Sequence, residues 1–257
     1  MPDDSRTITD AVKAKYGAVA RGKVKVCCDT GGSCDSDQLV SISRGYSADE
    51  LATLPQGAEM GLGCGNPTGL AEIKPGEVVV DLGSGAGVDC FLAAQRVGER
   101  GLVIGIDMTE DMIERAKQNA KEGGFTNVEF RLGDIENIPV QDSSVDLVIS
   151  NCVINLAPDK ERVFRQIYRI LRPGGRLCVS DIVSKGRIPD SVRSDMEKWA
   201  GCIAGAMEKT EYLGLIRNLG FQKTEVRTEN DYDYEKTDDY SIASVTVVAY
   251  KPENNGP

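Results

Sequence analysis

The sequence contains no histidine among its 257 residues. That absence removes the commonest general base, the Ser-His and Cys-His nucleophile pairs, and the commonest nitrogen ligand of zinc. Aromatic residues make up only 5%, with a single tryptophan, so aliphatic side chains rather than rings must fill the core. Positive charge is also in short supply, with 30 Lys and Arg against 40 Asp and Glu, a formal net charge of -10 and a pI near 4.7. Such a field repels a phosphate backbone and no Lys/Arg stripe overrides it locally, so a nucleic acid substrate is not expected. No apolar run approaches the roughly 20 residues that cross a bilayer. The opening MPDDSRTITD is acidic and polar, where a secretory leader is basic and then apolar. Together these absences lead us to expect a cytoplasmic protein with no membrane partner, and a monomer is the default expectation.

What is present narrows the chemistry. Hydrophobic residues reach 40% and charged residues 27%, a globular profile, and the length suits one α/β domain with extensions. Eight cysteines in a reducing compartment are expected to be free, catalytic or metal-binding rather than a permanent disulfide framework. Catalysis must therefore run on thiols, carboxylates, hydroxyls and a cofactor.

Residues 1–75 show weak periodicity, with a helix predicted from Asp10 to Ala20 and a cysteine-rich stretch, VCCDTGGSC. We read them as an extension packed onto the core. From Glu77 the texture changes. VVVDLG, LVIGID, VEFRLGD, DLVISNC and RLCVSDIV are short β-branched runs ending in Asp, Gly or Ser, as buried parallel strands do. Helices lie between them. One is capped by Thr109 and stops at Gly123 and Gly124; another takes Pro158 in its first turn and breaks at Arg172-Pro173-Gly174-Gly175. Alternation of this kind implies βαβ units with right-handed crossovers and ligands bound at the carboxyl ends of the strands. Residues 76–185 are the expected cofactor-binding domain. Residues 186–257, with helices near 190–206 and 210–219 and the strands FQKTEVRT and SIASVTVVAYK, are expected to complete the sheet and bind the acceptor.

The stretch VVVDLGSGAG places a glycine turn directly after a strand. There Gly83, Gly85 and Gly87 let the backbone approach a ligand that a Cβ would exclude. Nicotinamide enzymes share such a turn, but Asp81 at the strand end would repel a pyrophosphate and attract the ammonium of S-adenosylmethionine. Asp107, ending the next strand in GIDM, suits both ribose hydroxyls, with Met108 as an apolar wall for adenine. Asp134 in RLGDIEN suits the adenine amino group. Each aspartate alone could be a helix cap or a solvated strand end; the combination with three glycines points to S-adenosylmethionine.

This block resembles class I S-adenosylmethionine methyltransferases. The resemblance implies a Rossmann-like α/β fold, a seven-stranded, mostly parallel sheet with helices on both faces and its last strand antiparallel. It also implies that Asp81, Gly83, Ser84, Gly85 and Gly87 line the methionine end, that Asp107 and Met108 hold ribose and adenine, that Asp134 and Ile135 contact the base, and that Asn151 sits near the sulfonium. A closer resemblance lies in SNCVINLAPDK, GIDMTEDM, GLGCGNP and WAGCIAGAM, which are similar to arsenite methyltransferases over residues 60–250. In that family the cysteines matching Cys64, Cys152 and Cys202 bind trivalent arsenic, and an N-terminal cysteine forms a transient disulfide with the one matching Cys64. Cys34 fits that last role, with Cys27 and Cys28 left open as alternatives. An external thiol reductant, thioredoxin or glutathione, would reopen the disulfide.

Residue positions lead to further expectations. Cys64 is expected in an exposed loop, Cys152 at the carboxyl end of the fourth strand and Cys202 in a helix, whereas Cys90 and Cys178 read as small buried hydrophobes. Thiolates suit soft trivalent arsenic, whose lone pair can attack a methyl without loss of a proton, so a chain without histidine is equal to the task. Two other readings stay open: a methyltransferase for another small acceptor such as a quinone, and a thiolate metalloid-binding protein without turnover.

Overall fold

A computed structural model of the chain describes residues 5–24, 37–232 and 240–253. Cys27, Cys28 and Cys34 lie outside the described residues. Ahead of the sheet come α1 (Ser5–Ala20), α2 (Asp37–Ser43), α3 (Ala48–Ala52) and α4 (Pro67–Leu70). The first of these starts at Ser5 rather than Asp10. A capping box between Ser47 and Glu50 starts α3.

The α/β core follows as β1 (Val78–Leu82), α5 (Val88–Val97), β2 (Leu102–Asp107), α6 (Glu110–Glu122), β3 (Val128–Leu132), β4 (Val145–Asn151), a 3-10 turn (Ile154–Leu156), α7 (Lys160–Ile170) and β5 (Leu171–Lys185). It is completed by α8 (Asp190–Arg193), α9 (Met196–Trp199), β6 (Met207–Glu208), α10 (Lys209–Asn218), β7 (Gln222–Tyr232) and β8 (Ser241–Tyr250). The sheet order is β3-β2-β1-β4-β5-β8-β7, with β6 beside β5. Strands β1 to β5 pair in parallel and β8 is antiparallel to both neighbours, so the expected sheet is present. The two-residue β6 was not expected, being too short to carry an alternation signal. Strand order reverses between β1 and β4, which opens a crevice beyond their carboxyl ends.

Both faces of the sheet are covered, which is why its central strands are continuous apolar runs. On one face Phe164 and Ile167 of α7 join Tyr212 and Ile216 of α10, with the Phe164 and Tyr212 rings edge to face at 5.5 Å. On the other, Phe91 of α5 and Ile113 of α6 pack over Val79, Leu147 and Ile149. A buried pair fastens the sheet to the segment before it: Arg176 donates to both oxygens of Glu77 at 2.7 and 2.9 Å and to the carbonyls of Ala71 and Glu72. Burial alone would raise the Glu77 carboxyl, but the Arg176 guanidinium brings it below the usual range.

Local expectations need three corrections. Pro158 precedes α7 instead of entering its first turn; the N-cap is Asp159, whose carboxylate accepts from the Arg162 N–H at 2.9 Å, a bond proline cannot make. The helix ends at Ile170, ahead of Arg172 as expected, but the strand expected from Arg176 already begins at Leu171 and takes in Arg172 to Gly175 with a register shift against β4. The stretch 190–206 is two short helices followed by turns. There Gly205 passes so near Asn155 that a Cβ would lie 2.2 Å from its carbonyl oxygen.

Candidate active site

A cavity of about 460 Å³ opens at the carboxyl ends of β1, β2 and β4. Gly83, Ser84, Gly85, Asp81, Asp107, Met108, Asp134, Ile135 and Asn151 all line it, so the structure brings these expected residues to one space. Gly87 does not line it. At φ +103° it is the N-cap of α5, packed so that a Cβ would meet the Phe91 ring at 2.6 Å. Gly83, at φ +69°, leaves no room for a Cβ, which would sit 2.3 Å from Val153; at Gly85 (φ +52°) nothing lies within 4 Å. The open side of Gly85 is a cradle for a ligand. Ser84 is buried and its Oγ has no partner.

The charge at this end is negative and buried. Asp81 and Asp89 are 2% and 7% exposed. Burial first, then the neighbouring Asp89, pushes the Asp81 carboxyl well up, and burial pushes Asp89 to about 6 against hydrogen bonds from Tyr46 and Asn151. Tyr46 donates to Asp89 at 2.8 Å, and the Cys90 thiol donates to Asp81 at 3.2 Å. Cys90 is therefore buried as expected, but it also serves the carboxylate. Buried carboxylates favour a cationic ligand when the nearby cation, here Arg96, is taken up by other acceptors, and S-adenosylmethionine carries both an ammonium and a sulfonium. Asp107 accepts from the N–H groups of Gly85 and Thr109 at 3.0 and 2.8 Å, which fixes its carboxylate at the end of β2. Thr109 itself, although the N-cap of α6, makes no side-chain cap.

Asn151 lines the cavity, yet its carboxamide is committed elsewhere. Its Oδ1 accepts from the N–H groups of Cys64 and Gly65 at 2.9 and 3.2 Å, and its Nδ2 donates to the Gly65 carbonyl and to Tyr46 Oη at 2.8 and 2.9 Å. It thereby clamps the Gly63–Gly65 loop to the end of β4. Ser244 completes the hold, donating to the Cys64 carbonyl at 2.6 Å. The expectation of an exposed Cys64 is therefore wrong: it is 5% exposed, because its flanking glycines let Asn151 and Ser180 press against the loop.

At the other end of the cavity Cys152 and Cys202 are lining residues. The Cys202 thiol donates to the Cys152 carbonyl at 2.9 Å. Neighbouring thiols push the Cys152 thiol well up, Cys202 first, then Cys64, then burial. A loop, a strand end and a turn thus make three thiols neighbours, although Cys64 does not itself line the cavity. Among the described residues no three Cys, Asp or Glu side chains stand as a metal-holding cluster. Cys202 lies in the turn after α9, not within a helix, and both it and Cys152 hold left-handed backbones, at φ +65° and +62°. Around them the walls are apolar: Ile8 and Val12 of α1, Leu156, Ile182 and Ile203, with Met108 and Trp199. Behind them sit buried Lys160, lowered to about 8 by burial, and Asp181, raised to about 7 by burial. Cys178 is fully buried and donates to the Pro67 carbonyl at 3.3 Å.

Sequence reasoning missed Tyr46, Glu59 and Asp89, which line the cavity together with Thr9, Val12 and Tyr16 of α1. Asp89 carried a faint signal, as an acid in the first turn after the glycines. Tyr46 and Glu59 stand in a segment of weak periodicity outside the predicted helix.

A sheet of this order, with a glycine turn and acidic strand ends at its switch point, is the architecture of class I S-adenosylmethionine methyltransferases. A family model described as a methyltransferase domain matches residues 73–230. The chain is 43% identical to an arsenite methyltransferase of Halobacterium salinarum over 98% of its length and 68% of that protein, and 36% identical to the human arsenite methyltransferase over 70% of its length and 52% of that protein. An X-ray structure of an arsenic(III) S-adenosylmethionine methyltransferase from Chlamydomonas reinhardtii superimposes with a TM-score of 0.69 at 35% identity, covering 84% of this chain and 74% of that one. The chain belongs to the arsenite methyltransferase family. It spans about two thirds of its halobacterial relative and about half of its human one. Among the described residues no helix is long and apolar enough to cross a membrane.

Proposed function

We propose that the protein transfers methyl groups from S-adenosylmethionine to trivalent arsenic held by Cys64, Cys152 and Cys202. The observation that carries this reading is that two thiols from distant parts of the chain, Cys152 and Cys202, line the apolar end of a cavity whose other end is acidic, with Cys64 the buried neighbour of Cys152.

The thiols need no base to take up arsenite. Each As–S bond that forms replaces a hydroxide, and the thiol proton leaves with that hydroxide as water, so protonated thiols in an apolar pocket are suited to the exchange. Thiolate ligation keeps electron density on arsenic, whose lone pair then attacks the methyl in line. S-adenosylmethionine supplies that methyl as an electrophile on sulfur and departs as the neutral thioether. Asp81 and Asp89 hold the cationic end of the donor, Asp107 and Met108 fix its adenosine, and the apolar wall of α1 and Ile182 excludes water from the transfer. Catalysis then rests on bringing arsenic and methyl to roughly 3 to 3.5 Å. Methylation raises arsenic formally by two electrons. Two protein thiols return them, Cys64 and an N-terminal cysteine for which Cys34 is the candidate, and the disulfide so formed is reduced by thioredoxin or glutathione.

Incubation with arsenite, methyl-labelled S-adenosylmethionine and a thiol reductant, followed by product speciation, tests the proposal. Label is expected in methylated arsenicals. Arsenite binding with no transfer of label would favour a sequestering protein, and label in an organic acceptor alone a different methyltransferase.

A further inference from the structure

One acidic side chain in the cavity is only half satisfied. Glu59, in the loop between α3 and α4, lines the acidic end. Its Oε1 accepts from the Ser41 hydroxyl at 2.9 Å and the Gly61 N–H at 2.6 Å, which fixes the carboxylate plane. Its Oε2 is buried and makes no hydrogen bond. Glu59 lies near enough to Asp89 for its charge to bear on that carboxyl, and the cation that also bears on Asp89, Arg96, is committed to Glu50 and the Thr68 carbonyl. The same cavity holds Ser84, 7% exposed and with an unpartnered Oγ. A fixed, buried carboxylate oxygen beside a cavity is a costly feature unless a donor arrives to meet it. Asp81 and Asp89 already occupy two sides of that end, and a primary ammonium has three N–H donors to place.

We propose that Glu59 is a cofactor-binding residue, its Oε2 accepting a hydrogen bond from the α-ammonium of S-adenosylmethionine, so that the segment ahead of the sheet supplies one wall of the donor site. This rests on the reading that S-adenosylmethionine is the donor. The consequence is that the described residues ahead of the sheet recognise the amino acid end of the donor as well as lining the cavity.

Calorimetric titration of the full chain with three ligands separates the possibilities. S-adenosylmethionine carries ammonium and sulfonium, S-adenosylhomocysteine the ammonium alone, and 5′-methylthioadenosine neither. In Glu59→Gln and Glu59→Ala the first two are expected to bind about tenfold to a hundredfold more weakly, the range for a hydrogen bond to a charged group, while methylthioadenosine binds as to the wild type. Equal weakening of all three would overturn the proposal in favour of a loop-holding role. Weakening of S-adenosylmethionine alone would place Glu59 against the sulfonium and overturn it as stated, and no change would remove Glu59 from the site. If the wild type bound none of the three, the donor reading itself would fail, and the inference with it.

Discussion

Cys152 and Cys202 adopt left-handed backbones at φ +62° and +65°, a conformation that costs a non-glycine residue on the order of 1 to 2 kcal/mol and that here turns two thiols into one space. Serine at either position keeps the backbone and loses the soft donor. Cys152→Ser and Cys202→Ser are therefore expected to abolish arsenite methylation in a product assay while leaving the melting temperature close to that of the wild type; Cys178→Ser is expected to retain turnover. Asp89 gives a second expectation. Its carboxyl, pushed up to about 6 by burial, is partly protonated in mildly acid solution, and a cation binds best to its ionised form. Without ligand, a raised carboxyl costs stability as pH rises from its unfolded value near 4 to about 6. With ligand, affinity for S-adenosylmethionine should tighten through the same window, with proton release near pH 6 seen in buffers of different ionisation heat. A flat affinity from pH 5 to 7 would contradict that assignment. The glycine turn, Asp81, Asp107 and Asp134 were legible in the sequence because strand ends and turns are local features. Tyr46 and Glu59 were not, since their segment has weak periodicity and long-range packing alone brings them to the cavity. Cys64 was misread because flanking glycines look like exposure, when here they admit Asn151 and Ser180.

At the scale of elements, the turn after β1 and the turn after β4 lean on each other. A Cβ on Gly83 would meet Val153, the residue after Cys152, at 2.3 Å, whereas one on Gly85 would meet nothing within 4 Å. Both have positive φ, so alanine is strained at each, by roughly 1 kcal/mol. Gly83→Ala should go further, displacing the Cys152 turn and lowering both S-adenosylhomocysteine affinity and arsenite binding. Gly85→Ala should spare arsenite binding, as separate titrations would reveal; equal effects on arsenite would contradict the contact. The parallel strands were readable as β-branched runs, and α6 from its acidic start and glycine stop. The helices after residue 190 were read too long because Gly205 there serves close approach rather than helix, and β6 is too short to announce itself.

Across the whole molecule, one buried ion pair joins the segment before β1 to β5. Arg176 satisfies Glu77 and two carbonyls at once, so removing it strands a carboxylate and two acceptors. Arg176→Ala is expected to cost about 3 to 5 kcal/mol in denaturant unfolding, with the loss reduced in a double variant that also removes the Glu77 charge. The alternation of strand and helix foretold this architecture, whereas residues 5–24 and 37–67 were read only as an extension packed onto the core, their place over the cavity leaving no trace in local pattern. On the proposed function, what joins fold to function is the arrival of Cys64, Cys152 and Cys202 from three separate parts of the chain as neighbours beside the cavity. Arsenic K-edge X-ray absorption of the arsenite-loaded protein tests this most directly. The account predicts sulfur-only coordination that loses a sulfur in Cys152→Ser and Cys202→Ser and is unchanged in Cys178→Ser. Oxygen ligands in the wild type, or a sulfur shell indifferent to Cys152 and Cys202, would contradict it.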